Sequence, residues 1–167
     1  MEPLRQNFIQ IIDSYKGIIR SLCKVYCSSH EDKKDAFQDI ILQLWKSFET
    51  FKGESKISTW IYSVSLNTLL AKVRTEKRKI AIEHMDVAEL PISTAMADSD
   101  VELLYIVVQS LKEVDKAIVI LYLEGYKNKE IGQMLGLTMT NVSTRLNRIK
   151  GELKTKFEHH HHEFRQP

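Results

Sequence analysis

Nowhere in this chain of 167 residues do apolar side chains run on for the roughly 20 positions that a membrane-spanning helix needs, so no membrane insertion is expected. The first six residues, from Met1 to Gln6, lack the apolar core of a secretory signal, and a cytoplasmic location is expected. With only two cysteines, a disulfide framework is excluded. Cys23 and Cys27 lie four apart in a helical pattern with His30 three further on, yet no fourth ligand stands nearby, and buried thiols are common in reduced proteins. No metal or cofactor is therefore expected. Also missing are a phosphate-binding glycine loop and any nucleophile, base and orienting group in recognisable array, which argues against an enzyme. Between Ile80 and Leu111 there is no lysine or arginine at all, although Glu83, Asp86, Glu89, Asp98, Asp100 and Glu102 fall there.

That one-sided gap is informative because the segment just before it, Lys72 to Lys79, holds five basic residues against one acid. A net charge of +2 thus conceals blocks of opposite sign, which implies separate surfaces with separate partners. What remains of the chain is helical periodicity. Phe8, Ile11, Ile12, Tyr15, Ile18, Ile19 and Leu22 form one apolar stripe. After a polar break at 28–34, Phe37, Ile40, Ile41, Leu44, Trp45 and Phe48 form a second, opposite Asp35, Gln38, Asp39, Gln43 and Lys46. A turn-rich loop at 51–58 follows, in which Gly53 permits a bend. A third helix is expected from about Thr59 through Arg74, with Trp60, Ile61, Val64, Leu69, Leu70 and Val73 as its apolar set, ending in the basic run. Residues 80–99 contain Pro91 and no sustained periodicity and are read as a flexible acidic linker.

The second half carries the most specific pattern. Ile131, Met134 and Leu135 make a short apolar stripe with Asn128 placed as N-cap, and Gly136 supplies a turn. From Thr138 or Thr140 a second helix places Val142, Leu146, Ile149 and Leu153 on one stripe. Its opposite side shows Thr140, Asn141, Thr144, Asn147 and Arg148, with Arg145 on the flank. These side chains can bond base edges and phosphates, so the pair is read as a helix-turn-helix, against the plainer alternative of a solvated amphipathic hairpin. The resulting fold class is all-α, two small helical domains joined by a flexible acidic linker, the C-terminal one a helix-turn-helix. The tail 157–167, with its four-histidine tract, is set aside as disordered.

The order of these parts resembles a bacterial RNA polymerase sigma factor. The carrying residues are Asp35 to Asp39 on the second helix, the loop and helix from Phe51 to Asn67, the acidic linker, and the helix-turn-helix. The small size resembles the extracytoplasmic-function group, which keeps only region 2 and region 4. On that resemblance, 1–79 is region 2-like, 80–99 the linker and 100–156 region 4-like. The protein would then bind core RNA polymerase and direct promoter-specific initiation without being an enzyme itself.

The resemblance further implies that Asp35, Gln38, Asp39 and Gln43 dock on the clamp helices of the polymerase's largest subunit. Lys56, Ser63, Asn67, Lys72, Arg74, Lys77 and Arg78 would contact the promoter −10 element, with Lys79 on the same basic run. Thr140, Asn141, Thr144, Arg145, Asn147 and Arg148 would read the −35 element, region 4 lying by the polymerase flap. Trp60 is expected mainly as core, with Tyr62 the more open of the two. Many members carry an arginine where Ser63 stands and an alanine where Ser65 stands, and the recognition helix here reads Thr140-Asn-Val-Ser-Thr-Arg145 in place of the more usual Gly-Thr-Val-Arg-Ser-Arg. An anti-sigma partner is expected. The rival reading is a one-component helix-turn-helix regulator with an N-terminal sensing domain.

Overall fold

The computed structural model describes the backbone of residues 2–82 and 100–163, and the side chains of residues 4–79 and 104–158. Seven helices and no strand occur among the described residues: α1 (Glu2–Tyr26), α2 (His30–Phe48), α3 (Ile57–Ile82), α4 (Asp100–Ser110), α5 (Glu113–Leu123), α6 (Asn128–Leu135) and α7 (Met139–Glu163). The chain divides into two compact units, Met1–Glu83 and His84–Pro167. Most of the expected linker, 83–99, lies outside the described residues.

In the first unit α1, α2 and α3 pack pairwise on one another. Ser29 starts α2 by accepting the Asp32 backbone N–H on its hydroxyl at 3.0 Å, which satisfies one donor that the first turn leaves unpaired. The buried row of α2 is Ala36, Ile40, Leu44 and Phe48, strictly four apart, because the helix is wedged between two neighbours. Phe37 and Ile41 lie at the edge of that row, and Trp45 and Leu42 are more open, Leu42 being 49% exposed. On α3 the sealed positions are Ile61, Tyr62, Ser65, Leu66 and Leu69, so the true stripe is rotated from the expected one, and Trp60, Val64, Leu70 and Val73 flank it. Tyr62, expected to be the more open aromatic, is buried, while Trp60 is half-buried. The rotation follows from α3 facing both α1 and α2, which selects two adjacent columns of side chains.

Aromatic rings tie the loop after α2 to this core. Phe51 stacks on Trp60 at 4.9 Å between centroids, Trp60 lies 6.0 Å from Phe48, and Phe8 sits between Phe48 and Trp45. Gly53 takes a φ of 72°, the left-handed bend that a glycine adopts without cost. The third helix does not stop at Arg74. It runs on to Ile82, because nothing in the basic run breaks helix.

The second unit is organised by α7, which touches α4, α5 and α6. Val142, Leu146 and Ile149 are all sealed in a core with Ile118, Leu121 and Ile131. The expected cap of α6 is shifted by one residue. Lys127 is the N-cap, its backbone N–H donating to the Glu130 carboxylate at 2.8 Å. Asn128 instead donates from its side-chain amide to the Ser143 hydroxyl at 2.9 Å, fastening α6 to α7. Gly136 ends α6 with a φ of 68°, and the Leu137 N–H closes back on the Gly132 carbonyl at 2.8 Å. Thr138 then caps α7, its hydroxyl accepting the Asn141 N–H at 3.1 Å.

The helix α7 also differs from expectation at its far end. It continues through the histidine tract to Glu163, and Phe157 packs with Leu153 and Ile106 against buried Val107 of α4. An apolar partner on α4 therefore carries into the unit a residue that composition alone assigned to the tail.

Candidate nucleic-acid interface

On α7 the helical repeat separates two faces. The sealed stripe fixes one side in the core, and Thr140, Asn141, Thr144, Asn147 and Arg148 are all exposed on the other. A groove of about 580 Å³ is lined there by Thr138, Thr140, Asn141, Thr144, Arg145 and Arg148, with Lys112 entering from the start of α5. Three cations around threonine hydroxyls make a surface suited to a phosphate chain and the adjoining base edges. The turn that presents this face is tight. A Cβ built on Gly132 would lie 2.6 Å from the Leu137 carbonyl oxygen, so the backbone of the turn passes directly over that glycine.

Two of the expected reading residues are already engaged. Arg145 Nη1 donates to Asp115 Oδ1 at 2.8 Å, and Arg148 Nη2 donates to Asp115 Oδ2 at 2.5 Å. The Asp115 side chain is only 3% exposed, whereas Arg145 and Arg148 keep 34% and 49%. A buried carboxylate needs such partners, and Asp115 also lies in the first turn of α5, where the helix dipole favours an anion. Nothing in the sequence reading pointed to Asp115. Its one signal was an acid near the start of a helix, and the partners 30 and 33 positions away are assigned only by folding.

In the first unit the structure gathers residues that the sequence placed in two classes. Asp39 and Gln43 from α2 share one groove of about 790 Å³ with Ser63, Asn67, Lys72 and Lys79 from α3. Lys72 Nζ donates to Asp39 Oδ2 at 3.2 Å, and both groups are partly exposed. Desolvation opposes the charge on Lys72, but the Asp39 bond, backed by Glu76 and Asp35, outweighs it and raises the lysine above its ordinary value. Asn67 donates to the Ser63 carbonyl at 2.8 Å, one turn back on the same helix. Arg74 and Arg78 continue the row of Ser63 and Asn67, because steps of four, seven and four return to one helical face. Both are exposed, as are Lys77 and Lys56, and none of the four lines the groove. Asp35 and Gln38 are exposed on α2 but also lie outside it. Gln38 instead borders an apolar groove with Phe8, Ile9, Phe37, Leu42 and Trp45.

The cysteines show no sign of an active site. Cys23 is buried, and burial together with neighbouring Cys27 pushes its thiol up to about 11, while burial likewise raises Cys27. Among the described residues no group of three His, Cys, Asp or Glu side chains is placed to hold a metal ion, and no helix is long and apolar enough to cross a membrane.

Two helical units, one with a polar groove of mixed charge and one with a helix-turn-helix, define a modular DNA-binding protein. Residues 11–79 match the Sigma-70 region 2 family and residues 102–153 match the Sigma-70 region 4 family. The chain belongs to the RNA polymerase sigma factors, in the extracytoplasmic-function (ECF) form that carries regions 2 and 4. It is 23% identical over 149 residues to the ECF sigma factor SigM of Mycobacterium tuberculosis, covering 89% of this chain and 76% of that one. Against SigW of Bacillus subtilis it is 25% identical over 162 residues, covering 88% and 87%. Among solved structures, the sigma factor RpoE in complex with the anti-sigma factor NepR from Bartonella quintana superposes with a TM-score of 0.70 at 16% identity, over 95% of this chain and 98% of that one. CnrH, solved with the cytosolic domain of CnrY, gives 0.61 at 16% identity over 92% and 89%. Sigma factors direct promoter-specific transcription, and that is the activity of this chain.

Proposed function

We propose that the chain divides this work between its units as follows. Residues 1–79 hold core RNA polymerase and open the −10 element, residues 80–99 connect, and residues 100–156 place α7 in the −35 major groove. Polymerase supplies the catalysis, and the chain acts in the cytoplasm. Asp35, Gln38, Asp39 and Gln43 on α2 meet the basic clamp helices of the polymerase. Ser63 and Asn67 contact an unstacked −10 base, with Lys56 a further polar contact from the loop, while Lys72, Arg74, Lys77, Arg78 and Lys79 neutralise phosphates around it. Thr140, Asn141, Thr144, Arg145, Asn147 and Arg148 face the −35 bases and backbone. An anti-sigma protein holds the chain inactive, a reading supported by the two related structures, each solved with such a partner or a partner's cytosolic domain.

The observation that carries this reading is the shared groove, in which Asp39 and Gln43 stand beside Ser63, Asn67 and Lys72. Engaging polymerase and engaging DNA are then neighbouring events. The Asp39–Lys72 pair must part for each to meet its own partner, at a cost of at most about 1 kcal/mol for so exposed a pair. Base reading from this unit falls to Ser63 and Asn67, since Tyr62 is sealed in the core. A sensing domain in place of region 2 has no support, because the first unit matches region 2 over nearly all its length.

The test is in vitro transcription with purified core polymerase on a promoter library. Promoter-dependent transcripts enriched in defined −10 and −35 sequences are expected, together with a stable polymerase complex. No complex and no promoter-dependent transcript would sink the reading. Arg148→Ala is expected to reduce −35-dependent initiation, and an unchanged profile would remove Arg148 from the reading face.

A further inference from the structure

We infer that Asp115, a buried residue on α5 outside the DNA-facing surface, is a positioning residue that sets which base Asn141 accepts at the −35 element. The inference rests on the reading of α7 as the −35 helix. A short relay connects the two residues. The Asp115 carboxylate takes Arg145 Nη1 on one oxygen and Arg148 Nη2 on the other. Arg145, so anchored, donates from Nε to Asn141 Oδ1 at 2.7 Å. Asn141 is exposed and lines the groove on the DNA-facing side.

The chemistry of this relay is directional. A guanidinium has donors only, so the group that Asn141 turns toward Arg145 must be its carbonyl oxygen, and its NH₂ group is turned the other way. An asparagine that presents only its NH₂ can donate to any acceptor edge in the major groove, the N7 and O6 of guanine, the O4 of thymine or the N7 of adenine. The bidentate pairing with adenine instead needs the amide oxygen to accept from adenine N6. Asp115 thereby denies adenine its bidentate pairing and leaves it one bond at N7, whereas guanine offers two acceptors, so Asn141 is biased toward guanine over adenine. It does so by holding Arg145 where one guanidinium reaches both partners, a bridge that depends on the planar fork of arginine. Arg148, on the second carboxylate oxygen, keeps the carboxylate from rotating away.

The experiment uses the full chain with core polymerase and a promoter library randomised across the −35 element, read by sequencing of transcripts. Asn141→Ala identifies the base position that Asn141 serves, as the one where preference disappears. At that position the unaltered chain is expected to favour guanine over adenine. Asp115→Asn, nearly isosteric but uncharged, is expected to reduce that discrimination by about tenfold while leaving the −10 preference and polymerase association unchanged. Arg145→Lys keeps the charge but offers a single nitrogen that cannot bridge both partners. It is expected to change the same position in the same direction, and it carries the test should Asp115→Asn fail to fold. The proposal is overturned if Asn141→Ala alters no position, if the preferred base there is adenine, or if Arg145→Lys and a folded Asp115→Asn leave the profile as it was. A different outcome, an unaltered chain that initiates with no −35 preference at all, removes the reading of α7 on which the proposal stands.

Discussion

Ser65 lies in the middle of α3 with no solvent exposure, and its Oγ meets no hydrogen-bond partner among the described residues. Folding therefore strips water from a hydroxyl and returns nothing, an arrangement that costs about 1–3 kcal/mol. Replacing Ser65 with alanine removes the oxygen, leaves only a small void, and adds a helix-propensity gain of roughly 0.5 kcal/mol. The net expectation is a stabilisation of about 1–2 kcal/mol. For a unit of this size that corresponds to a rise in melting temperature of about 5–10 °C. Fluorescence can isolate the effect, because both tryptophans of the chain, Trp45 and Trp60, belong to the first unit. A thermal melt followed by tryptophan emission should shift upward for Ser65→Ala. Ser65→Val, which replaces the hydroxyl with a methyl and adds a second methyl where no exposed surface remains, should shift it downward by overpacking worth about 1–3 kcal/mol. An unchanged or lowered melt for the alanine variant would show that the hydroxyl is satisfied in solution, and the argument from an unpartnered oxygen would fail. Promoter preference should be unchanged, since Ser63 and Asn67 lie on a different face of the helix.

Asp39→Ala should weaken core polymerase binding by about tenfold or more, the scale of one charge-assisted hydrogen bond, while lowering stability by no more than about 1 kcal/mol; a pull-down with unchanged affinity would exclude Asp39 from the contact. Gly132→Val places branched carbons where even a Cβ meets the Leu137 carbonyl at 2.6 Å, so it should destabilise the second unit by about 2 kcal/mol or more and abolish −35 preference. Circular dichroism melts of that variant at the wild-type midpoint would contradict the close approach. Cys23 gives a pH dependence. The folded chain holds this thiol proton up to about 11 against an ordinary 9.0, so the stability it confers is complete below pH 9 and is lost as pH rises through about 11. The loss of stability between these limits should be smaller in Cys23→Ala, and identical urea midpoints across the range for both chains would refute the assignment.

How much of this was legible in the sequence differs between the two units. The stripe of Val142, Leu146 and Ile149 was readable because α7 lays one narrow column of side chains on the unit's core, and one column repeats at i, i+4 and i+7. The turn at Gly136 was readable because few residues but glycine adopt its φ of 68°. In α3 the same arithmetic missed the sealed positions, since a helix touching two neighbours buries adjacent columns and admits a serine and a tyrosine among them. Asp39 and Gln43 on α2 and Ser63, Asn67 and Lys72 on α3 were chosen from separate helices by resemblance, as expected polymerase and −10 contacts, and their meeting in one groove could not be read from spacing along either.

The linear order of residues by itself settled the helical class and the polar face of α7, because both depend on periodicity and local backbone preference within a single segment. Tertiary structure alone decided that Arg145 and Arg148 are anchored from behind, that Phe157 belongs to a core, and that Lys72 answers Asp39. Each of these joins positions 30 or more apart, where hydrogen-bond distance and burial are set by how helices pack, and no local pattern records them.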